Sequence, residues 1–583
     1  MSTSTDLAER AFDVIVVGGG VVGAATASSL GRSGRKVLLV ERDLTEPDRI
    51  VGELLQPGGV RALRLLGLLD CLEGIDAAPV HGYHVFQGRR SVPIPYPDES
   101  PEARGLGIQS TSGRVEGRSF HHGRFVQALR RAAMAQPNVT TIQATVTSLN
   151  EDEAAGKVTG ITATIKHSTT SKQQPTPVSQ EISCSAPLTI VVDGCFSKFR
   201  RTHGSSIAPI VRSNFVAMEL HNAPLPSPNH GHVVLGPAGP TLLYQISASD
   251  TRVLIDVPGE KLPSQSSGAL QAHIREKVIP QLPEVLRECV GEELARSSRF
   301  RSMPNSFLPP SMQGQNKNRQ GVILVGDAMN MRHPLTGGGM TVGLWDVVHL
   351  TMALGGPDWS PKPRVKPVAD LTSWNSLKPA LRSWHWERKK LASMINILAQ
   401  ALYSLFGAED ANLEVLREGC FAYFELGGEC VGGPVRLLSG LSPEPWLLVY
   451  HFFSVALYAI YMLFKQPYVH KGEKEPRAPS ILEWPALFLR SIAVLYTACV
   501  VLLPVAATEL KSNIPNFSKG AGALSKAHKS GSSDLPSAQT LLSALACIAA
   551  LLYFWNGQQQ GEQSNFGQTR IFPAALAMGF GGR

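Results

Sequence analysis

Phe12-Asp13-Val14-Ile15-Val16-Val17-Gly18-Gly19-Gly20-Val21-Val22-Gly23 begins the stretch, ending at Glu41, whose reading decides the fold. The apolar run Phe12 to Val17 is long enough for a buried parallel strand and too short for a helix. Small residues from Ala24 to Ser33 predict a helix that stops at Gly34, and Lys36 to Glu41 predicts a second strand ending on an acid. In such a βαβ unit Gly18 allows the tight turn, Gly20 lets backbone approach a pyrophosphate, and Gly23 lets helix and strand pack closely. The helix N-terminus offers unpaired N–H groups and a positive dipole end to phosphates. Glu41 stands where a carboxylate accepts from an adenosine ribose, which disfavours a 2′-phosphate. An adenine dinucleotide follows, NAD or FAD; the bland alternative is a glycine-rich turn with no ligand.

The 583 residues are 43% hydrophobic and only 17% charged, with a net charge of +8. That apolar surplus concentrates in the C-terminal third. No basic block interleaved with aromatics points to nucleic acid, so an anionic membrane face is the expected partner of the positive charge. Eight scattered cysteines, without CxxC or zinc spacing, read as reduced thiols in a cytosol-facing chain, and no metal site is expected. The N-terminus lacks a basic region followed by a long apolar core, so no signal peptide is expected.

Outward from the fingerprint, an amphipathic helix is expected over Val60 to Leu69. Extended pieces, Tyr83 to Phe86 and Val92 to Tyr96, read as strands of a second sheet inserted into the first domain. A helix is expected from Gly123 to Ala135; His121 and His122 before it, lacking an acid or cysteine at metal spacing, read as structural. Val139 to Leu149 reads as one strand, and the polar stretch 151–180 as a hairpin with no assigned chemistry. Leu188 to Val192 reads as a buried strand ending on Asp193-Gly194, which can place the carboxylate at the edge where open α/β sheets bind ligands. Alternating strands between 211 and 310, with helices near 268–279 and 283–296, predict a sheet layered with helices. Few of its inward positions look ionisable, so an apolar substrate is expected beneath it.

A second anchor lies at Gly321 to Ala328, again a strand followed by Gly-Asp, with Gly337-Gly338-Gly339 opening a helix to about Met352. Asp327 can accept from a ribityl hydroxyl, and the glycine-rich helix start can face a flavin ring. The ordered set Gly18-x-Gly20-x-x-Gly23, Asp193-Gly194 and Gly326-Asp327 resembles the FAD monooxygenases of the hydroxybenzoate-hydroxylase fold. The runs GELLQPGG (52–59), RSMPNSFLPP (301–310), NMRHPLTGGGMTV (330–342) and LGGECVGGP (426–434) resemble the squalene epoxidase family, from about residue 12 to 500. The resemblance implies an α/β fold: a Rossmann-type FAD-binding domain, an inserted mixed β-sheet substrate domain and a C-terminal helical membrane anchor. The expected boundaries are FAD-binding 1–80, 121–210 and 321–375, substrate domain 81–120 and 211–320, helical domain 376–440, and membrane-associated helices 441–583.

By the same resemblance Val21, Val22, Glu41 and Arg42 hold the adenosine half of FAD. Arg49, Leu54, Arg130 and Val146 complete the pocket, while Asp327 and Met340 stand at the ribityl and flavin end. Asp193 is the shared Asp-Gly acid, and Tyr83 matches a tyrosine implicated in activity. The implied reaction converts squalene to (S)-2,3-oxidosqualene in sterol biosynthesis, with dioxygen and a flavin hydroperoxide. Electrons are expected from NADPH–cytochrome P-450 reductase at the endoplasmic reticulum membrane, with the catalytic domain facing the cytosol. Competing readings are an aromatic hydroxylase, a prenyl-lipid reductase or a non-catalytic prenyl-lipid carrier.

A helix from Leu381 to Phe406 is expected to pack on the flavin domain. Trp446 to Phe464 is free of charge over 19 positions, about 28 Å as a helix. Ser491 to Thr508 is a second apolar run and Thr540 to Trp555 a third. Lys465, Lys471, Lys474 and Arg477 between the first two weigh against a simple crossing and favour a monotopic or re-entrant anchor in membrane lipid. Glycosylation at the sequon Asn516-Phe517-Ser518 would exclude a wholly cytosolic tail.

Overall fold

A computed structural model of the chain describes residues 10–98, 113–167, 178–205, 207–297, 299–314, 319–355, 368–407, 410–467 and 477–511. The third apolar run at 540–555 and the sequon at 516–518 lie outside the described residues. Five parallel strands form the first sheet, in the order Val322–Leu324, Leu188–Val191, Val14–Val17, Val37–Glu41, Val139–Gln143. The three central strands are Val/Ile/Leu-rich because they are covered on both faces. Strand Val14–Val17 has the next strand in sequence on one side and Leu188–Val191 on the other. The winding direction therefore reverses at its carboxyl end, where open α/β sheets place their ligands.

Helices cover one face of this sheet. Val21–Arg32 packs with Pro57–Leu65, His122–Met134 and Gly339–Leu354 through residues such as Ala24, Leu63, Phe125, Leu129 and Val347. The other face is covered by an antiparallel three-stranded sheet, Thr145–Asp152, Lys157–His167 and Val178–Ser185, whose Val146, Leu149, Ile161 and Ile182 meet Val14, Leu39 and Ile190. A separate seven-stranded sheet runs Arg301–Phe307, Ile210–His221, Asp250–Pro258, Thr241–Gln245, Gly231–Leu235, Gly82–Gln87, Arg90–Pro95. It is antiparallel except where Gly231–Leu235 pairs with Gly82–Gln87. Period-two alternation gives it two different faces. Val216, Met218, Val234, Val253 and Ile255 pack on helix Glu284–Arg296, while Phe215, Ala217, Val233, Leu242 and Leu254 lie on the opposite face, in a core shared with Leu54 and Leu335.

Three expectations need correction. The helix expected over Val60 to Leu69 runs Pro57–Leu65 instead, because Pro57 is pre-set for the first helical position and Gly67, at φ +61°, ends the run. Val139 to Leu149 is not one strand. Ala144 donates its N–H to Glu41 O (2.8 Å), and beyond it Thr145–Asp152 leaves the parallel sheet for the three-stranded one. The helix expected from Leu381 begins at Trp374, since Leu377, Leu381 and Trp384 all bury against the sheet core.

Among the described residues two helical segments are long and apolar enough to cross a membrane, Pro445–Lys465 and Ile481–Glu509. Both pack along the body rather than standing away from it. Gly419 of helix Ala411–Glu425 lets Ala459 approach so closely that a Cβ there would lie 2.2 Å from the alanine methyl. Their outer sides expose Trp446, Leu457, Tyr461, Leu482, Phe488 and Leu489, large apolar side chains of the kind that meet lipid.

The long helix Trp374–Gly407 is held to Gly339–Leu354 by a fully buried pair. Arg388 Nε and Nη2 donate to Asp346 Oδ1 and Oδ2 at 2.7 and 3.0 Å. Replacing Arg388 by Met leaves Asp346 charged and unpaired, and the expected cost is about 3–5 kcal/mol. Denaturant unfolding of the full chain in detergent checks it; an unchanged midpoint would show that the pair carries no such weight.

Candidate active site

The three fingerprint glycines do different things. Gly18, at φ +109°, sits where a Cβ would be 2.7 Å from Val192 O, and a Cβ on Gly23 would be 1.8 Å from Gly18 O. These two positions are closed by packing. A Cβ on Gly20 would meet nothing within 4 Å, because Gly20 caps the helix at the wall of a cavity of about 1650 Å³. Glu41 Oε2 accepts from Gly19 N (2.5 Å), and its Oε1 accepts from Asp43 N. Arg130 is buried beside them: its Nε donates to Gly19 O (2.8 Å), its Nη1 donates to Thr45 O (3.0 Å), and its Nη2 lies 3.8 Å from Glu41 Oε2. It clamps the glycine loop to the chain after the second strand.

Some 130 residues apart in sequence, the two Asp-Gly and Gly-Asp turns meet at the sheet's carboxyl edge. Arg200 joins them: its Nη2 donates to Gly194 O, Cys195 O and Asp327 O, and its Nε donates to Ala328 O (2.9 Å). Nothing local in the sequence marks Arg200, because its partners are main-chain oxygens and, at 3.9 Å, the Met331 sulfur, brought to it by folding. Asp193 Oδ2 accepts from Lys198 N (2.9 Å), while its buried Oδ1 has no hydrogen-bond partner among the described residues. Asp327 opens into the cavity but lies deep in the protein. Burial pushes its carboxyl above the usual range, against the pull of Arg332, Arg49 and Arg200.

At the other end the wall is the inner face of the seven-stranded sheet, with Val233, Leu242, Tyr244, Leu254 and Met303, joined by Leu335 from the turn Pro334–Thr336. Tyr83 closes it. Its hydroxyl accepts from Gln56 Nε2, which also donates to Thr336 O (2.8 Å), and Tyr96 donates to Gln56 Oε1 (2.6 Å). Burial raises the Tyr83 phenol further above its already alkaline range, so it stays neutral. Gln56 belongs to the quoted run GELLQPGG, yet only the fold shows that it bridges two tyrosines.

The expectation of few ionisable groups on the sheet's inner face is wrong in detail. Arg252 makes a bidentate bond to buried Glu53 (2.8 and 2.9 Å) and reaches Glu219 at 3.1 Å; Glu53 keeps Arg252 firmly charged. Asp256 accepts from Ser213 and from Asn305 beneath His333. Glu53 and Arg252 satisfy each other, while Asp256 is held through Oδ1 and its buried Oδ2 has no hydrogen-bond partner among the described residues. His121 also has an acid after all: its Nε2 meets Asp250 Oδ2 at 3.1 Å, and His221 takes the other oxygen at 2.7 Å. Asp250 lies 129 residues downstream, beyond any local spacing rule. Donor atoms of His121, Glu219 and Asp250 come within 4.8 Å of one another, but Arg252 already holds Glu219, and the set latches the two sheets' domains together.

Gly18, Gly20, Val21, Val22, Glu41, Arg42, Arg49, Leu54, Tyr83, Arg130, Val146, Asp193, Asp327 and Met340 all line this one cavity. Gly23 lies behind it, in the helix–strand contact. The open position at Gly20, the orphaned Asp193 oxygen and the polar-to-apolar gradient along the cavity fit an extended flavin dinucleotide beside an apolar ligand. The volume exceeds the 300–1,000 Å³ of an ordinary small-molecule pocket.

Comparison with known proteins agrees with this geometry. A profile for the family described as squalene epoxidase matches residues 185–472, and one described as FAD dependent oxidoreductase matches 13–47. The chain is 46% identical to squalene monooxygenase of Mus musculus over 502 residues, 86% of this chain and 78% of that protein. It is 40% identical to a squalene epoxidase of Schizosaccharomyces pombe over 507 residues, 87% of this chain and all of that one. Among solved structures, p-nitrophenol 4-monooxygenase of Pseudomonas putida superposes with a TM-score of 0.55 at 17% identity, covering 74% of this chain and 99% of its own, a likeness of fold.

Two outcomes are expected. Gly20→Val fills open space and no packed contact, so the apoprotein keeps its melting temperature while FAD affinity, read by flavin fluorescence, falls by about two orders of magnitude. Gly23→Ala instead lowers the melting temperature. The second concerns His122, whose Nδ1–H donates to Gly52 O (2.8 Å) and whose imidazole is pushed down to about 4 by burial, helped by Arg49 and Arg130. The unfolded chain protonates it near its ordinary 6.5 and the native state does not, so stability falls as pH drops from about 6.5 towards 4. His122→Asn keeps a donor and flattens part of that acid limb in urea unfolding; other histidines lowered by burial, His232 (about 4), His333 and His349 among them, retain the rest.

Proposed function

Because the chain belongs to the squalene epoxidase family, we propose that the cavity between the two sheets is where squalene meets FAD and dioxygen. The protein is an FAD-dependent monooxygenase that epoxidises squalene in sterol biosynthesis. One oxygen of dioxygen joins the alkene and the other leaves as water, taking up two electrons and two protons; bound FAD supplies the activation of dioxygen. The product is assigned as (S)-2,3-oxidosqualene.

The observation that carries the residue assignment is the single cavity whose one end is polar and helix-capped and whose other end is apolar. Gly18, Gly20, Val21, Val22, Glu41 and Arg42 take the adenosine half, the helix N-terminus facing the pyrophosphate, while Gly23 behind them keeps helix and strand packed. Arg49, Leu54, Arg130 and Val146 complete the middle, and Asp193, Asp327 and Met340 hold the ribityl and flavin end. Tyr83 orients rather than exchanges protons: it is neutral, buried and fixed by Gln56, and alkene epoxidation needs no substrate deprotonation. Val233, Leu242, Leu254 and Leu335 hold the terminal double bond and keep out water that would divert the oxidant to hydrogen peroxide.

The sequence has one strand–GxGxxG–helix unit, taken here by FAD, which supports delivery of electrons by a separate protein, NADPH–cytochrome P-450 reductase. Two apolar helices lying along the body, with exposed outer faces, support a monotopic membrane anchor; the membrane is assigned as the endoplasmic reticulum, with the catalytic domain in the cytosol. That arrangement lets squalene enter from the bilayer.

Full-length protein with FAD, reductase, NADPH, dioxygen and squalene is expected to yield 2,3-oxidosqualene by gas chromatography. Product formation with NADPH but no reductase would refute the separate donor; a flavoprotein that oxidises NADPH on a phenol and leaves squalene intact would refute the substrate. Tyr83→Phe removes the acceptor for Gln56 and is expected to lower turnover about tenfold, a loss of the size expected from one misaligned positioning contact, with FAD affinity unchanged.

A further inference from the structure

Between Arg490 and Lys511 the second apolar helix, Trp484–Lys511, carries one charged side chain, Glu509, and it is 3% exposed. A buried carboxylate at the end of an apolar helix is costly unless it is fully bonded, and here it is. Ser393 Oγ donates to Oε2 (2.8 Å), Asn396 Nδ2 donates to Oε1 (2.8 Å), and Lys389 Nζ lies 3.9 Å from Oε2 while donating to the Glu509 main-chain oxygen. Lys389, Ser393 and Asn396 follow one face of the long helix at spacings of four and three.

Asn396 then passes the contact on. Its Oδ1 accepts from Arg332 Nε at 2.7 Å. The amide orientation is not ambiguous, because a carboxylate only accepts and a guanidinium only donates, so Asn396 must present its NH₂ to Glu509 and its oxygen to Arg332. Arg332 Nη2 donates to Asn330 O and Oδ1 (3.1 and 2.8 Å), and its Nη1 reaches Gly339 O at 3.4 Å. Asn330 Oδ1 also accepts from Asn396 (3.1 Å). Arg332 lines the flavin cavity together with Asp327 and Met340. A continuous series of hydrogen bonds thus joins the carboxyl end of a lipid-facing helix to the wall of the cavity.

We propose that Glu509 is a positioning residue for the flavin cavity: through Asn396 it fixes Arg332 beside Asp327, so that docking of the second apolar helix and retention of FAD reinforce one another. The inference rests on the assignment of the Asp327 end of the cavity to the flavin half. Coupling of this kind is reciprocal, so FAD tightens the helix end as much as the helix end tightens FAD.

The test uses the full-length protein in lipid nanodiscs, with FAD affinity read by flavin fluorescence and amide exchange followed over residues 502–509. Glu509→Ala is expected to weaken FAD binding about tenfold, within the usual range of intersite coupling. In the parent protein FAD slows exchange over 502–509; in Glu509→Ala it no longer does. Asn396→Asp sets two carboxylates face to face and is expected to weaken FAD at least as much. Adding Glu509→Gln to Asn396→Asp restores a donor opposite the new acceptor, while the carboxylate introduced on the long helix still accepts from Arg332. The double variant should return to within about threefold of the parent, a rescue that a merely space-filling role does not give. Parent-like FAD affinity in both single variants, or a double variant no tighter than Asn396→Asp, overturns the proposal. Glu41→Ala and Asp327→Ala serve as controls: if neither weakens FAD, the cavity assignment itself fails, and if both do while the Glu509 and Asn396 variants do not, only this inference fails.

Discussion

The approach of Gly18 O to Gly23, closer than any side chain would allow, is the contact on which the molecule is organised. It seats helix Val21–Arg32 against strand Val14–Val17 with its N-terminus pointing out of the sheet's carboxyl edge. Because the sheet reverses direction at that strand, the same edge is open, and everything else is arranged around the opening. Arg130 ties the glycine loop to one side of the opening, and Arg200 ties the two aspartate turns to the other. Both arginines donate mainly to main-chain oxygens, so they set backbone positions and leave the carboxylates of Asp193 and Asp327 facing the cavity.

The apolar half of the cavity is not built by omitting charge. Glu53 with Arg252, and Asp256 with Ser213 and Asn305, lie on the inner face of the seven-stranded sheet among leucines and valines. Buried pairs of this kind add little net stability relative to apolar replacements, but a broken one is expensive. Their effect here is geometric. They pin the sheet's inner face at defined points, so that Leu242, Leu254 and Val233 form a wall of fixed shape rather than a collapsible one.

The same device recurs where the long helix meets the flavin domain and the second apolar helix. Asp346, Arg388, Asn330, Asn396 and Glu509 make one connected polar layer under an otherwise greasy surface. An apolar helix with an exposed outer face is thereby held in register with the cavity, which hydrophobic contact alone, being non-directional, would not achieve.

Short-range physics made much of this protein legible from its residues. The strand–glycine–helix–strand order, the acid at position 41, the two Asp-Gly type turns and the long apolar runs are each local patterns, set by side-chain period, backbone freedom at glycine and helix length. What could not be read were the partners. Arg200 among main-chain oxygens, Gln56 between two tyrosines, Asp250 opposite His121, and Glu509 reaching Arg332 through Asn396 join residues tens to hundreds of positions apart. The end of the parallel pairing at Ala144 likewise depends on another strand, whose last paired residue is Glu41. The sequence by itself determined the elements and the class of ligand they cradle; only the tertiary structure decided which buried polar groups satisfy one another, because that depends on where folding brings distant donors and acceptors together.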